Sequence, residues 1–207
     1  DILPAREKKK GVYVAFGGKV LSALNLKFMS FTKDGFENWN LKAPETLSEH
    51  FISRQFLSMP APETEVLESL LNEAARHFAV VKIMPGLLGS RLAHLIDAEN
   101  DVHTVIAELY ACGTGNMRNS DYSLKPLLSA GHKTDCKFYC TSQQKCSVDF
   151  SRYSTSVRMW REGVVPMGML TTESVVALYF AAYLIADNDE ELADLMETTA
   201  EACVLFN

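Results

Sequence analysis

A chain of 207 residues, 47% hydrophobic and 22% charged, has the composition of an ordinary globular protein of one large or two small domains. Its net charge of −6 and its lack of a long basic run argue against a nucleic-acid partner. The longest apolar run, Val175 to Ala186, is too short to span a membrane, which needs about 20 residues, and predicts a buried core helix. An odd count of five cysteines, and an opening DILPAREKKK without a secretory signal, favour the reducing cytoplasm.

The first strands occur in residues 11–40. GVYVAF is typical of a strand, Gly17-Gly18 of a tight turn, and KVLSALNLKFMSF of further extended chain. Two or three short strands do not form a stable unit alone. We therefore expect residues 1–40 to be the terminal strands of a larger N-terminal α/β domain, supplied by a preceding region or by a partner chain.

Residues 41–77 are predicted to be a linker that contains one helix. They hold three of the seven prolines, Pro44, Pro60 and Pro62, and show no strand-like alternation. Apolar residues recur at helical spacing between Glu63 and Phe78, which predicts the helix. These residues are Val66, Leu67, Leu70, Leu71 and Ala74.

Residues 78–207 have the alternation of a parallel α/β sheet. Four apolar runs, AVVKIM (79–84), TVIAELY (104–110), KFYC (137–140) and VVPM (164–167), each end in a polar or glycine-rich turn. The sequence predicts crossover helices at 91–98, 120–130 and 152–162. A long helix capped by Thr171 or Thr172 and a last helix at 187–203 follow. This is a three-layer αβα domain with a four-stranded parallel sheet, whose turns gather at one ligand-binding edge.

Two of these turns are candidate binding sites. GTGN (113–116) lets backbone N–H groups approach a ligand and offers the Asn116 amide, although a plain tight turn is the commoner meaning of this pattern. It matches neither a dinucleotide fingerprint nor a phosphate-binding P-loop. TSQQ (141–144) offers neutral hydrogen-bonding groups that suit an amide or an amino acid, or else forms a solvated loop.

Other polar residues give weaker signals. His132, Cys136, Cys140 and Cys146 invite a zinc interpretation, but Cys136 and Cys140 flank a predicted buried strand and lack C-x2-C spacing, so no metal and no cofactor is expected. Asp149, Arg152 and Tyr153 fit either a salt-bridged helix cap or a site. The remaining histidines, His50, His77, His94 and His103, show no arrangement with Ser or Cys that indicates catalysis.

The order of the motifs resembles a known family. GVYVAFGGKV, KDGFENWN, VVKIMPGL, ELYACGTGNM, TSQQKCSVDFSRYSTS and EGVVPMGMLTTESVVAL together resemble the C-terminal part of bacterial-type L-asparaginases and glutaminases, closest to the cytoplasmic type I branch. The resemblance runs from about Gly11 to Leu195. It implies the last strands of the large domain at 1–40, an interdomain linker at 41–77 and the small domain at 78–207.

The resemblance also implies an activity. Family members hydrolyse the side-chain amide of asparagine, and in some cases glutamine, through threonines in T-G-G-T and H-G-T-D segments. Neither segment occurs in these 207 residues, since Lys19 follows Gly17-Gly18. The resemblance implies that this chain contributes one wall of the active site and an oligomer interface, in a dimer or tetramer. It also implies that the chain is inactive by itself. The alternative is a non-catalytic amino-acid-binding or regulatory module.

The resemblance also implies roles for individual residues of this chain. Asn116, with Gly115, matches the substrate-side asparagine of the family. Thr141, Ser142 and Gln143 match a turn that helps to form an asparagine effector site in some type I enzymes. Gln144 stands where that turn usually has cysteine.

Overall fold

The computed structural model describes residues 13–16, 19–22, 26–28, 36–38, 62–96, 99–151 and 153–205. The predicted turn at Gly17-Gly18, the linker prolines Pro44 and Pro60, and Arg152 lie outside these residues. Two short antiparallel pairs come first: β1 (Tyr13–Phe16) with β2 (Lys19–Ser22), and β3 (Leu26–Phe28) with β4 (Phe36–Asn38). The strands expected in residues 11–40 are thus present.

A four-stranded, all-parallel sheet forms the centre of the remaining chain. Its strands, β5 (Phe78–Lys82), β6 (Thr104–Leu109), β7 (Lys137–Ser142) and β8 (Val164–Pro166), lie side by side in sequence order. All six residues of β6 are buried, as expected for a parallel strand covered on both faces. The predicted αβα class with a four-stranded parallel sheet is confirmed.

Six α-helices flank this sheet in the described part of the chain. They are α1 (Thr64–Arg76), α2 (Gly89–Leu92), α3 (Lys125–Thr134), α4 (Ser154–Arg161), α5 (Thr172–Ile185) and α6 (Asp189–Leu205). A 3₁₀ turn, Ala93–Ile96, continues α2. The predicted crossover helix at 91–98 therefore begins two residues early and changes to 3₁₀ geometry.

The strand order explains the two layers of helices. Right-handed crossovers between neighbouring strands, taken in order, place α2, α3 and α4 on the same face. That face packs through Val105, Leu109 and Phe138. The opposite face, through Ile106 and Tyr139, is covered by α1, which precedes the sheet, and by α5 and α6, which follow it.

Two predicted element boundaries were wrong for identifiable reasons. The helix expected at 120–130 begins at Lys125, because Pro126 is tolerated only in the first turn of a helix. Strand β7 continues through Thr141 and Ser142, so these two residues belong to a strand rather than to the predicted TSQQ turn. Buried pairing with Glu108 and Leu109 of β6 holds them in the sheet.

The long apolar helix is a core helix, as predicted. The Thr171 hydroxyl oxygen accepts a hydrogen bond from the Ser174 backbone N–H at 3.2 Å, which makes Thr171 the N-cap. The Tyr179 hydroxyl donates to the Ala74 carbonyl at 3.2 Å and joins α5 to α1. None of the described helices is long and apolar enough to cross a membrane.

Candidate functional site

A small cleft opens where β5 and β6 end. Its volume is about 120 Å³. One water needs about 10–15 Å³, so the cleft has room for several waters or for part of a small ligand. The lining combines apolar side chains with the polar groups of Tyr110, Asn116, Tyr122 and Ser123. It contains no histidine, carboxylate or lysine. The cleft can thus hold a neutral or apolar group, and the ionisable side chains among its described lining residues are the phenols of Tyr110 and Tyr122.

The sequence-predicted Asn116 lies in this cleft and organises its rim. Its Nδ2 donates to Ser120 Oγ at 3.2 Å and to the Tyr122 carbonyl at 3.1 Å, and its Oδ1 accepts from the Arg118 N–H at 3.0 Å. Both amide hydrogens are therefore engaged, and one lone pair of Oδ1 remains for a ligand. Asn116 shapes the loop over residues 116–122 and presents an acceptor rather than a donor.

The glycines of GTGN serve packing. A Cβ on Gly115 would come within 2.7 Å of Leu124 Cδ1, and Gly115 itself is buried. Gly113 has a φ of +74°, and a Cβ there would lie 2.4 Å from Val148 Cγ1. The absence of side chains at these positions lets α3 and the loop after β7 close over the end of β6. The substrate-side assignment of Gly115 stays a prediction.

The segment Thr141, Ser142 and Gln143 is divided between the two faces of the sheet. Thr141 Oγ1 lies 2.8 Å from Thr172 Oγ1 on the α5 side, and Ser142 Oγ lies 3.1 Å from Cys146 Sγ. Gln143 Nε2 donates to the carbonyls of Ile83 at 2.6 Å and Glu108 at 3.1 Å. These groups join strand ends within the fold. Their predicted role in an effector site stays a prediction.

A buried carboxylate lies beside this segment. Glu108 is only 7% exposed, and its carboxylate lies 3.1 Å from Lys82 Nζ and 3.9 Å from Lys27 Nζ. Lys27, from β3, also forms an ion pair with Glu173 of α5 at 2.6 Å. Two lysines compensate the buried charge of Glu108, as a buried ion requires. This charged cluster connects the β3–β4 pair to the carboxyl end of the parallel sheet.

A second group of titratable side chains lies at the opposite edge, where the strands begin. His77 and His103 stack with ring centroids 5.1 Å apart, and Asp101 lies beside both. Partial burial acts to lower the pKa of His77, but hydrogen bonds to the Asp101 carbonyl and Glu73, with the charges of both carboxylates, raise it above its ordinary value. Sequence analysis did not find this group.

The zinc interpretation of the cysteine segment gains no support from the described residues. Cys136 and Cys140 are buried, and burial raises the pKa of Cys136 to about 12 and raises that of Cys140 further, so both remain thiols. Cys146 Sγ accepts from the Cys112 N–H at 2.7 Å instead. Asp149 closes a turn by accepting from Ser151 N at 2.9 Å, just before α4.

No family model matches this sequence, and no curated protein matches it either. Solved structures, in contrast, are similar to this chain. The thermostable L-asparaginase from Thermococcus kodakarensis superposes with a TM-score of 0.62 at 21% identity, over 93% of this chain. L-asparaginase I from Vibrio cholerae gives a TM-score of 0.48 at 18% identity, over 59% of this chain and 36% of its own length.

The likeness to the Thermococcus kodakarensis enzyme concerns the fold. This chain spans 57% of that enzyme's length. Because the match covers nearly all of this chain, it includes the four-stranded parallel sheet. The chain therefore has an asparaginase-like α/β fold.

Proposed function

We propose that this chain is the small-domain portion of an asparaginase-like amidohydrolase that converts L-asparagine and water to L-aspartate and ammonia. The observation that carries the proposal is the position of GTGN. Within a fold like that of an L-asparaginase, it places the Asn116 amide in a cleft at the carboxyl ends of β5 and β6. In this proposal Asn116 and the neighbouring Gly115 form the substrate side of the site, and glutamine is the other candidate substrate.

The chemistry is proposed to come from a second domain. Among the described residues, the cleft lining has no histidine, carboxylate or lysine that could act as the base of a nucleophile. T-G-G-T and H-G-T-D segments, which carry the family's threonines, are absent from the 207 residues. We infer that an N-terminal asparaginase domain supplies these groups and that this chain closes the site against them.

Uncovered apolar surface supports a domain or subunit that packs on this chain. Val66 and Leu70, one helical turn apart on α1, are 49% and 40% exposed, and Val80 on the edge strand β5 is 48% exposed. Val66 and Leu70 are neighbours on the helix surface, and adjacent exposed apolar side chains are typical of interaction surfaces. The proposed assembly is a cytoplasmic homo-oligomer, a dimer or tetramer, in which a neighbouring domain or subunit covers this surface.

The reading frame upstream of Asp1 and an ammonia-release assay test the proposal. We expect T-G-G-T and H-G-T-D segments upstream, asparagine turnover by a chain that includes them, and none by these 207 residues alone. Turnover by the 207 residues would show that the nucleophile lies within them. An upstream frame without either segment would contradict a single-chain enzyme and leave a partner chain as the source of the N-terminal domain.

One observation favours the alternative, a non-catalytic amino-acid-binding module. Gln143 and Asn116 already hold their surroundings in place, so a ligand site at this edge needs no second domain to form. Thermal-shift titrations with asparagine, aspartate, glutamine and glutamate separate the two functions. Saturable stabilisation of the 207 residues, abolished by Asn116→Ala but retained by Asn119→Ala, supports the binding module. A flat response to all four amino acids argues against it.

A further inference from the structure

Two histidines are held side by side at the edge of the sheet where the strands begin, opposite the cleft. His77 immediately precedes β5 and His103 immediately precedes β6. The parallel register pairs Phe78 with Thr104, so the histidines are neighbours as well. The His103 N–H donates to the His77 carbonyl at 2.9 Å, which fixes their backbones. The separation of the rings is therefore set by the sheet rather than by a flexible loop.

The carboxylate of Asp101 bridges one nitrogen of each ring. Its Oδ2 is 3.3 Å from His77 Nδ1, and its Oδ1 is 3.0 Å from His103 Nε2. His77 Nδ1 also donates to the Asp101 backbone carbonyl at 3.0 Å, so a bound ion would replace the proton of that hydrogen bond. One ligand atom from each of the three residues lies within 4.8 Å of the other two. Around a tetrahedral zinc ion with bonds of about 2.0–2.1 Å, ligand atoms are separated by roughly 3.3 Å. We propose that His77, Asp101 and His103 form a Zn²⁺-binding site.

The outer nitrogen of each ring has the partner that a zinc ligand requires. His77 Nε2 lies 3.3 Å from Glu73 Oε1, and His103 Nδ1 lies 3.2 Å from Asp189 Oδ2. A metal-bound histidine usually donates its other ring N–H to a carboxylate, which orients the ring and raises the basicity of the ligating nitrogen. Glu73 and Asp189 are therefore positioning residues, contributed by α1 and α6.

The surroundings favour a cation. A groove of about 550 Å³ begins at His77 and His103 and continues along α6. Its charged lining consists of one lysine, Lys137, and five carboxylates, which belong to Asp135, Asp189, Glu190, Asp194 and Glu197. A groove lined by one sign of charge raises the local concentration of counter-ions. The approach to the site is thus acidic.

The donor set selects zinc over the hard cations. Two imidazoles suit Zn²⁺, whereas Mg²⁺ and Ca²⁺ prefer an all-oxygen shell. Three protein ligands leave a fourth position for water. Because the ligands come from the end of α1 and the loop before β6, and their partners from α1 and α6, a bound ion would fasten these elements together.

Isothermal titration of the 207-residue chain with ZnCl₂ tests the site, with MgCl₂ as the comparison. We expect saturable 1:1 zinc binding, a rise in melting temperature with zinc and no response to magnesium. Asp189→Asn should weaken binding by about 10–100-fold, the usual effect of losing an outer partner. His103→Ala and Asp101→Ala should each weaken it by more than about 100-fold, since each removes a ligand.

His94→Ala is the matched control, because His94 is an exposed histidine outside the group, and it should bind zinc like the wild type. Circular dichroism establishes that each variant is folded. Histidine ring ¹⁵N shifts should identify His77 Nδ1 and His103 Nε2 as the ligating atoms. The proposal is overturned if the wild type does not bind zinc. It is also overturned if His77→Ala/His103→Ala retains binding, or if binding is lost in Cys146→Ser instead.

Discussion

A glycine in α3, Gly131, has no room for a side chain. A Cβ on Gly131 would lie 2.2 Å from Cε2 of the Phe138 ring and 3.3 Å from Ile96 Cδ1. Phe138 is 3% exposed and sits in the core on that face, so its ring has little freedom to move. Gly131 lets α3 approach β7 closely, and this close approach is what the glycine contributes.

Gly131→Ala is expected to lower the free energy of unfolding. Overpacking costs about 1–3 kcal/mol. Because the 2.2 Å contact is with a buried ring, the cost should lie in the upper part of this range and exceed the roughly 1 kcal/mol that alanine gains over glycine in a helix. Urea unfolding followed by circular dichroism measures the difference. Ser129→Ala, at an exposed position of the same helix, should be neutral or slightly stabilising and controls for helix propensity. Unchanged or greater stability of Gly131→Ala would mean that the ring shifts without cost.

Individual residues also show which parts of the site could not be predicted from the sequence. Asn116 was recognisable because it follows a strand in a glycine-rich turn. The role of Gln143 was not, because its partners Ile83 and Glu108 are 60 and 35 positions away. His77 and His103 were dismissed because neither is near a Ser or Cys. Their common signal, a histidine directly before each of two neighbouring strands, becomes meaningful only once the strands are known to be parallel and adjacent.

At the scale of elements, the ion pair between β3 and α5 links the early strands to the sheet. Burial of Glu173 acts to raise its pKa, but the hydrogen bond and charge of Lys27, with hydrogen bonds from the Glu173 backbone N–H and from Thr171, outweigh burial, so its pKa lies below the ordinary 4.5. A carboxyl whose pKa is lower in the folded state stabilises the fold above the unfolded-state pKa. The contribution disappears as pH falls through the folded-state value.

Glu173→Gln should therefore lower the melting temperature at pH 7, and the difference from the wild type should narrow below pH 4.5 and close at more acidic pH. The Glu173 side chain is 59% exposed, so the effect should stay below about 1 kcal/mol. Glu65→Gln is the control. Glu65 is likewise the second residue of its helix, and no ion pair involves it among the described residues. An equal loss in both variants would assign the effect to the helix dipole rather than to Lys27.

The elements themselves were largely predictable, and the exceptions have local causes. Burial on both faces makes most of β6 and residues 138–140 of β7 apolar, and the helical spacing of apolar residues marked α1. The start of α3 was misplaced because Pro126 was not used as an N-terminal signal. The end of β7 was misplaced because Thr141 and Ser142 look like turn residues. Buried contacts with Thr172 and Cys146 satisfy their hydroxyls within the strand.

On the scale of the whole molecule, the parallel sheet has the components of an independent unit. Helices α2, α3 and α4 cover one face, and α1, α5 and α6 cover the other. The strand order follows the sequence without a reversal, so this sheet lacks the switch point at which open α/β sheets form their ligand crevice. This agrees with our proposal that a second domain completes the site.

A fragment of residues 62–207 is therefore expected to fold without the preceding chain. The fragment keeps both layers of helices and the ion pair between Lys82 and Glu108. It loses the ion pairs that Lys27 forms with Glu108 and Glu173. Because these lost pairs are partly exposed, the fragment should unfold cooperatively, at a denaturant midpoint close to that of the full chain. Urea titration monitored by far-UV circular dichroism and by tryptophan fluorescence checks this, since Trp160 lies in α4. Coincident transitions support an autonomous domain. A fragment without a cooperative transition would show that residues before 62 belong to the folding unit and would contradict its autonomy.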